Sequence, residues 1–272
     1  VLQIKLLKYF LTLMRSYLKI IFIPFLIIFI ALDLYADIIP SKERETNINE
    51  QIIEYIIDGD VINLSSNLEK EFNIVVNEYD ESKYSILLLH GRGLYPTEPN
   101  VIEPLRTRFS NQKINTYSLQ LPVLDKGKTY YDYKKIFNYS NSRISSAVEF
   151  IASDKLIIIA HSCGTHMLTS WINNTKDFSN ISGLVLIGAG AIDKNQFLDD
   201  IIDYEIINMP ILNIYGENDH DSVKDHSLVF NKKIKKNLET KSQNIQIDNS
   251  DHNYLDHSNS LVNIVNSWLK SL

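Results

Sequence analysis

The sequence predicts an α/β protein built on a mostly parallel sheet, and three observations predict it. Short apolar runs rich in β-branched residues alternate with segments whose apolar residues recur at helical spacing, as βαβ units require. One junction, Lys155 to Met167, passes from such a run through Ala160-His161-Ser162-Cys163-Gly164 directly into a helical pattern. The residues able to do acid–base chemistry fall just after strands, where the sites of open α/β sheets lie.

The chain has 272 residues, 44% hydrophobic and 22% charged, which suits one larger α/β domain with a sizeable core. A net charge of -6 argues against a nucleic-acid partner. The lysines at 232, 233, 235 and 236 read as the solvated face of a helix. A single cysteine, Cys163, excludes an intramolecular disulfide and any multi-cysteine metal site. The seven histidines show no metal-ligand spacing, and no cofactor is called for.

Residues 1–36 read as a leader. From Met14 a basic stretch precedes the apolar run Ile20 to Leu32, and Leu34-Tyr35-Ala36 ends in the small residue a signal peptidase needs. Pro24 and Asp33 argue against a membrane span. An uncleaved N-terminal anchor, which would keep the protein near a membrane, is the alternative. Either reading puts residues 37–272, a single domain, outside the cytoplasm, periplasmic or secreted.

The elements follow in order. Ile48, Ile52, Ile53, Ile56 and Ile57 fit one helix face, and Val61–Leu64 and Phe72–Val76 read as two strands, expected to pair antiparallel. Tyr84 to Leu89 is a buried strand ending in His90-Gly91-Arg92-Gly93. Ile102, Leu105 and Phe109 mark a helix, and Ile114 to Leu119 a strand. A helix over Ser142 to Ile151 leads into the strand Leu156 to Ile159, and Met167, Leu168 and Trp171 carry the next helix. Leu184–Ile187 and Ile211–Tyr215 are strands, Val229–Leu238 a helix, Asn244–Ile247 the last strand, and Leu261–Leu269 a closing amphipathic helix. Few residues separate Ile187 from Ile211, so any lid inserted there is small and the site is open.

The junction at Ser162 has the form of a nucleophile elbow: a strand, a tight turn carrying a serine, and a helix. Strand and helix must pass closely there, which asks for small residues two before and two after the serine; Ala160 and Gly164 meet that need. The helix N-terminus aims the Cys163 N–H where an oxyanion would form. An N-capping serine is the plainer alternative, and Cys163 is the rival nucleophile. A serine hydroxyl needs a base, and the base a carboxylate to orient it. Asp219 and Asp221 both follow the strand ending at Tyr215 and qualify as the acid; His252 lies in the loop after the last strand. Among the other histidines, His90 and His166 read as packing residues and His161 as pocket lining or packing. His220 and His226 read as surface residues, and His257 is a lesser rival base.

With these residues in place, the chain from Asp60 to Leu272 resembles the α/β-hydrolase superfamily. The order Ser162, acid, His252 and the elbow carry the resemblance; Ala160 departs from it, standing where the family usually has glycine. More narrowly, Leu87-Leu88-Leu89-His90-Gly91-Arg92-Gly93, Glu103-Pro104-Leu105-Arg106 and Ser118-Leu119-Gln120-Leu121-Pro122-Val123 resemble a group of exported bacterial α/β-hydrolase-like proteins. The resemblance implies an eight-stranded, mostly parallel sheet flanked by helices with no large cap domain. It makes Ser162 the nucleophile, Asp219 the acid and His252 the base, and gives the oxyanion to the backbone N–H groups of Arg92 and Cys163.

The expected activity is hydrolysis of a small ester-like substrate through an acyl-enzyme, with Leu94, Tyr95, His161 and Leu121 as the candidate pocket. Peptide or thioester hydrolysis are alternatives within the same chemistry. A non-catalytic envelope protein that keeps the fold as a binding or assembly module is the alternative from another class.

Overall fold

A computed structural model describes residues 38–175, 177–234 and 241–272, together with Met14. The leader reading of residues 1–36 and the helical reading of 235–238 therefore lie outside the described residues, Met14 apart.

Helix α1 (Lys42–Ile53) is followed by strands β1 (Asp60–Leu64), β2 (Phe72–Asn77) and β3 (Ser85–Leu89). Then come α2 (Ile102–Ser110), β4 (Asn115–Leu119), a short α3 (Tyr130–Lys134) and α4 (Phe137–Ile151). The second half runs β5 (Leu156–His161), α5 (Cys163–Asn174), β6 (Ile181–Ile187), β7 (Ile211–Gly216), α6 (Asp221–Lys233), β8 (Gln243–Ile247) and α7 (Ser258–Leu269).

The eight strands form one sheet in the order β1-β2-β4-β3-β5-β6-β7-β8. β1 pairs antiparallel with β2, and β2 antiparallel with β4; every other neighbour is parallel. The crossover from β3 to β4 and back to β5 creates the switch in strand order beside β3 and β5. Both β3 and β5 are buried along their whole length. That is why they read as unbroken apolar runs rather than as alternation.

Two layers of helix cover the sheet. On one face Ile86, Leu88, Ile157, Ile159, Val185 and Leu212 pack with Leu105 and Phe109 of α2 and with Leu261, Val265 and Trp268 of α7. On the other, α4 and α5 pack against each other over β3, β4 and β5. Leu88 has no exposed surface, and full burial of such a side chain contributes about 1.5–3 kcal/mol.

Helix α4 begins at Phe137 rather than Ser142, and three further departures from expectation have a physical reason. The face Ile48, Ile52, Ile53, Ile56 and Ile57 is not the surface that docks α1: the helix ends at Ile53, and Ile57 is fully exposed. Its grip is polar instead. Buried Glu45 accepts two 3.0 Å hydrogen bonds from Nη2 of the fully buried Arg143, which also pairs with Glu69 at 2.6 Å. Second, α6 begins at Asp221 rather than Val229, because its buried side is Val223, His226, Ser227 and Phe230, only half of it apolar. Third, α3 was not expected; the N–H of its N-cap Thr129 donates to Asp132 at 2.9 Å, and the N–H of Tyr130 donates to Asp193 at 2.7 Å.

Candidate active site

β5 ends at His161, and the chain turns at Ser162 with φ 52° and ψ -122°. A non-glycine residue in that region is strained, and several contacts hold it there. The Ser162 N–H donates to Ile187 O at 2.8 Å, and the Thr165 hydroxyl donates to Ser162 O at 2.6 Å. Gly164 supplies the clearance. A Cβ there would stand 2.5 Å from His90 O and 2.8 Å from Leu89 O. Ala160 is wholly buried in register with Leu89, so the alanine is accommodated within the sheet.

Two loops bring the remaining groups over this turn. After β7, Asp219 is buried, and its Oδ1 accepts the His220 N–H at 2.7 Å. After β8, the loop carrying His252 is tied to the first loop by the Asn218 N–H on Ser250 O at 2.8 Å and the Asn249 N–H on Glu217 at 2.8 Å. Gly188 lies directly beneath the imidazole: a Cβ there would be 2.9 Å from His252 Cε1. In this frame Ser162 Oγ is 2.7 Å from His252 Nε2, and His252 Nδ1 is 2.7 Å from Asp219 Oδ1. Asp221, the other acid the sequence offered, has a fully exposed side chain beyond this chain of contacts.

Four further histidines are buried around the site, and burial lowers the pKa of each. His161 donates from Nε2 to the His252 carbonyl at 3.2 Å; burial, with the nearby His252 second, pushes its pKa down to about 3. His90 donates from Nδ1 to Gly91 O at 2.8 Å and accepts the Leu121 N–H at 3.0 Å, and burial pushes it down to about 4. His166 donates to Ala191 O at 2.9 Å and is likewise lowered to about 4, mainly by burial. His226, read as a surface residue, is buried in α6 under Gly190, with its pKa lowered to about 4 by burial. His220 is exposed, its ring 4.9 Å from that of His252. Burial also raises the Cys163 thiol to about 12, so at neutral pH it stays protonated.

A cleft of about 460 Å³ opens over Ser162. Of the four candidate pocket residues, Leu94 and His161 line it, together with Cys163 and with Ala191, Ile192 and Asp193 from the segment between β6 and β7, which holds no helix or strand. Two expected pocket residues lie elsewhere. Leu121 is fully buried, and its N–H donates to His90 Nε2 at 3.0 Å. Tyr95 turns to a groove along α1, beside Ile48 and Ile52. A larger cleft of about 720 Å³ lies at the opposite end of the strands, near Tyr84 and Lys155, remote from Ser162.

Sequence reading missed Asp193. It accepts both Arg92 guanidinium nitrogens, at 2.5 and 2.9 Å, and the Tyr130 N–H at 2.7 Å. The Arg92 hydrogen bonds hold its carboxyl below the usual range. This fixes the Arg92 side chain outward. Neither the Arg92 nor the Cys163 backbone N–H donates to a protein acceptor among the described residues. One group there, Asp219, His220 and His252, brings candidate metal-ligand atoms within 4.8 Å of one another. Asp219 Oδ1 and His252 Nδ1 already bond each other, so the set suits proton transfer better than a metal cage.

No family model and no curated protein matches the chain. Solved structures do. It is similar to the carboxylesterase CesB from Bacillus subtilis (11% identity, 84% of this chain and 98% of that one, TM-score 0.59). It is also similar to Est1E from Butyrivibrio proteoclasticus (13%, 79% and 98%, TM-score 0.60) and to an esterase from Exiguobacterium antarcticum (14%, 78% and 100%, TM-score 0.58). Likeness at such low identity speaks to architecture alone. On that ground, and on its eight-stranded, mostly parallel sheet, the chain has the α/β-hydrolase fold.

Proposed function

We propose that the protein is a serine hydrolase that transfers the acyl group of a small ester-like substrate to water. The observation that carries this reading is the unbroken run from Ser162 Oγ through His252 to the buried Asp219, each step 2.7 Å. As Ser162 Oγ bonds to the carbonyl carbon, its proton passes to His252 Nε2, while Nδ1–H stays on Asp219. The carbonyl electron pair moves to oxygen, which accepts the N–H groups of Arg92 and Cys163; losing one such donor typically costs about 3 kcal/mol. The tetrahedral intermediate collapses, the proton on Nε2 leaves with the alcohol, and an acyl-enzyme remains. Water then attacks it with His252 again as base.

Leu94, Ala191 and Ile192 give the cleft its apolar part, which suits a short acyl chain. The fold neighbours with esterase in their names support an ester as the bond broken. The order of basic, apolar and small residues between Met14 and Ala36 supports export. The test is turnover of p-nitrophenyl acetate and butyrate by purified protein. Wild type is expected to hydrolyse them, and Ser162→Ala to lose on the order of 10⁶-fold in kcat with unchanged circular dichroism, as when other triad serines are removed. Full activity in the alanine variant rejects the assignment.

A further inference from the structure

We propose that Arg44, on the first helix, is a positioning residue for the loop that carries the Arg92 oxyanion donor. This rests on the hydrolase reading above. The Arg44 guanidinium bridges two loops: Nη2 donates to Gly93 O at 2.8 Å, and Nη1 donates to Leu124 O. Gly93 sits at φ +67°, and a Cβ there would come within 2.9 Å of Arg44 Nη2. The loop is thus shaped to let the guanidinium approach its backbone.

The other restraints on this loop act from different sides. His90 Nδ1–H holds Gly91 O from beneath, and Asp193 draws the Arg92 side chain outward. Gly91 itself lies against the elbow, where a Cβ would be 3.3 Å from Ser162 Cβ. Arg44 supplies the restraint on the far end of the loop, one residue beyond the donor. Its own mount is rigid. The Ser41 N–H donates to Val123 O at 2.7 Å, Glu45 accepts the Val123 N–H at 3.2 Å, and Glu45 is locked on the buried Arg143. These bonds explain why α1 docks by polar contacts. They deliver a planar fork to two carbonyls, which a lysine ammonium cannot span in the same way. The helix is therefore part of the frame of the reaction centre.

The loop's donor must stand within hydrogen-bond reach of the oxyanion, and misplacement by about 1 Å costs roughly 100-fold in rate. The test compares full-length wild type with Arg44→Met and the milder Arg44→Lys. Three readouts are taken: p-nitrophenyl butyrate kinetics, affinity for a trifluoromethyl ketone that forms an oxyanion on the serine, and hydrogen exchange of residues 90–95. Arg44→Met is expected to lose 10- to 100-fold in kcat and in ketone affinity, on the scale of that misplacement, with KM little changed and residues 90–95 exchanging faster. Arg44→Lys should fall between it and wild type, and serves alone if the methionine variant does not fold. A kcat unchanged within twofold, or an unchanged exchange rate, overturns the proposal even if the melting temperature falls. If wild type turns over no ester, the hydrolase reading fails on its own. Exchange at 90–95 then decides: faster exchange upholds Arg44 as the holder of the loop, and unchanged exchange overturns it.

Discussion

Replacing Gly164 by alanine tests whether the elbow is as close as the structure has it. The added methyl would lie 2.5 Å from the His90 carbonyl oxygen, about half an ångström inside the 3.0 Å that Cβ contacts essentially never breach. Leu89 O, at 2.8 Å, blocks a sideways escape, and both obstacles are backbone in the buried strand β3 and its end. The start of α5 must therefore move away from β3 and carry the Ser162 turn with it. Overpacking of this kind costs about 1–3 kcal/mol, and a loss of about 2 kcal/mol lowers the melting temperature by roughly 4–8 °C in a chain of this size. Displacement of the hydroxyl from His252 should cost on the order of 100-fold in kcat/KM. Ester kinetics and thermal unfolding followed by circular dichroism read both effects. The reciprocal change, Ala160→Gly, should cost only about 1 kcal/mol and leave activity within about fivefold. A Gly164→Ala enzyme with wild-type kcat/KM and melting temperature would refute the close approach.

Other expectations follow from the same geometry. Asp219→Asn should lower kcat on the order of 10³- to 10⁴-fold by losing the imidazole's orienting acceptor. Asp221→Asn, whose side chain is fully exposed, should change it little; equal losses in the two would reopen the choice of acid. Cys163→Ser should retain activity, and iodoacetamide at pH 7 should not inactivate wild type, because the buried thiol titrates near 12. Rapid inactivation by thiol alkylation would point to the cysteine instead. Stability should fall on acidification: His90, His166 and His226 titrate near 4 and His161 near 3 in the folded chain, against about 6.5 unfolded. Between those values the unfolded state binds more protons, so folding free energy is full above about pH 6.5 and drains as pH falls towards 4, by up to about 3 kcal/mol per histidine. Urea midpoints measured from pH 7.5 to 4.5 check this; a flat profile contradicts the buried, neutral assignment.

What the sequence made legible was what burial on both faces and strand-end placement write locally. Leu87 to Leu89 and Leu156 to Ile159 read as parallel strands because helices cover both sides of them. Ser162 and His252 stood out as candidates because one follows β5 directly and the other lies in the loop after the last strand, and the candidate acids fell in one short loop. Partners distant along the chain left no such trace. Arg92 and Asp193 are 101 residues apart, and neither lies in a pattern that names the other. The polar docking of α1 leaves no trace in the periodicity, where the isoleucines outweigh Glu45, because the buried Arg143 that receives Glu45 lies 98 residues away. Leu121 and Tyr95 stand near the site residues in sequence, but Leu121 is fully buried and Tyr95 lines a groove beside α1, and neither placement shows in the neighbouring residues.

The proximity of three distant side chains over one sheet edge is tested most directly by covalent capture. Folded wild type incubated with a fluorophosphonate should gain one adduct per chain, and peptide mass spectrometry should place it on Ser162. His252→Ala should gain none in the same time. No adduct on folded wild type, or an adduct at full rate without the imidazole, would contradict a hydroxyl activated by His252.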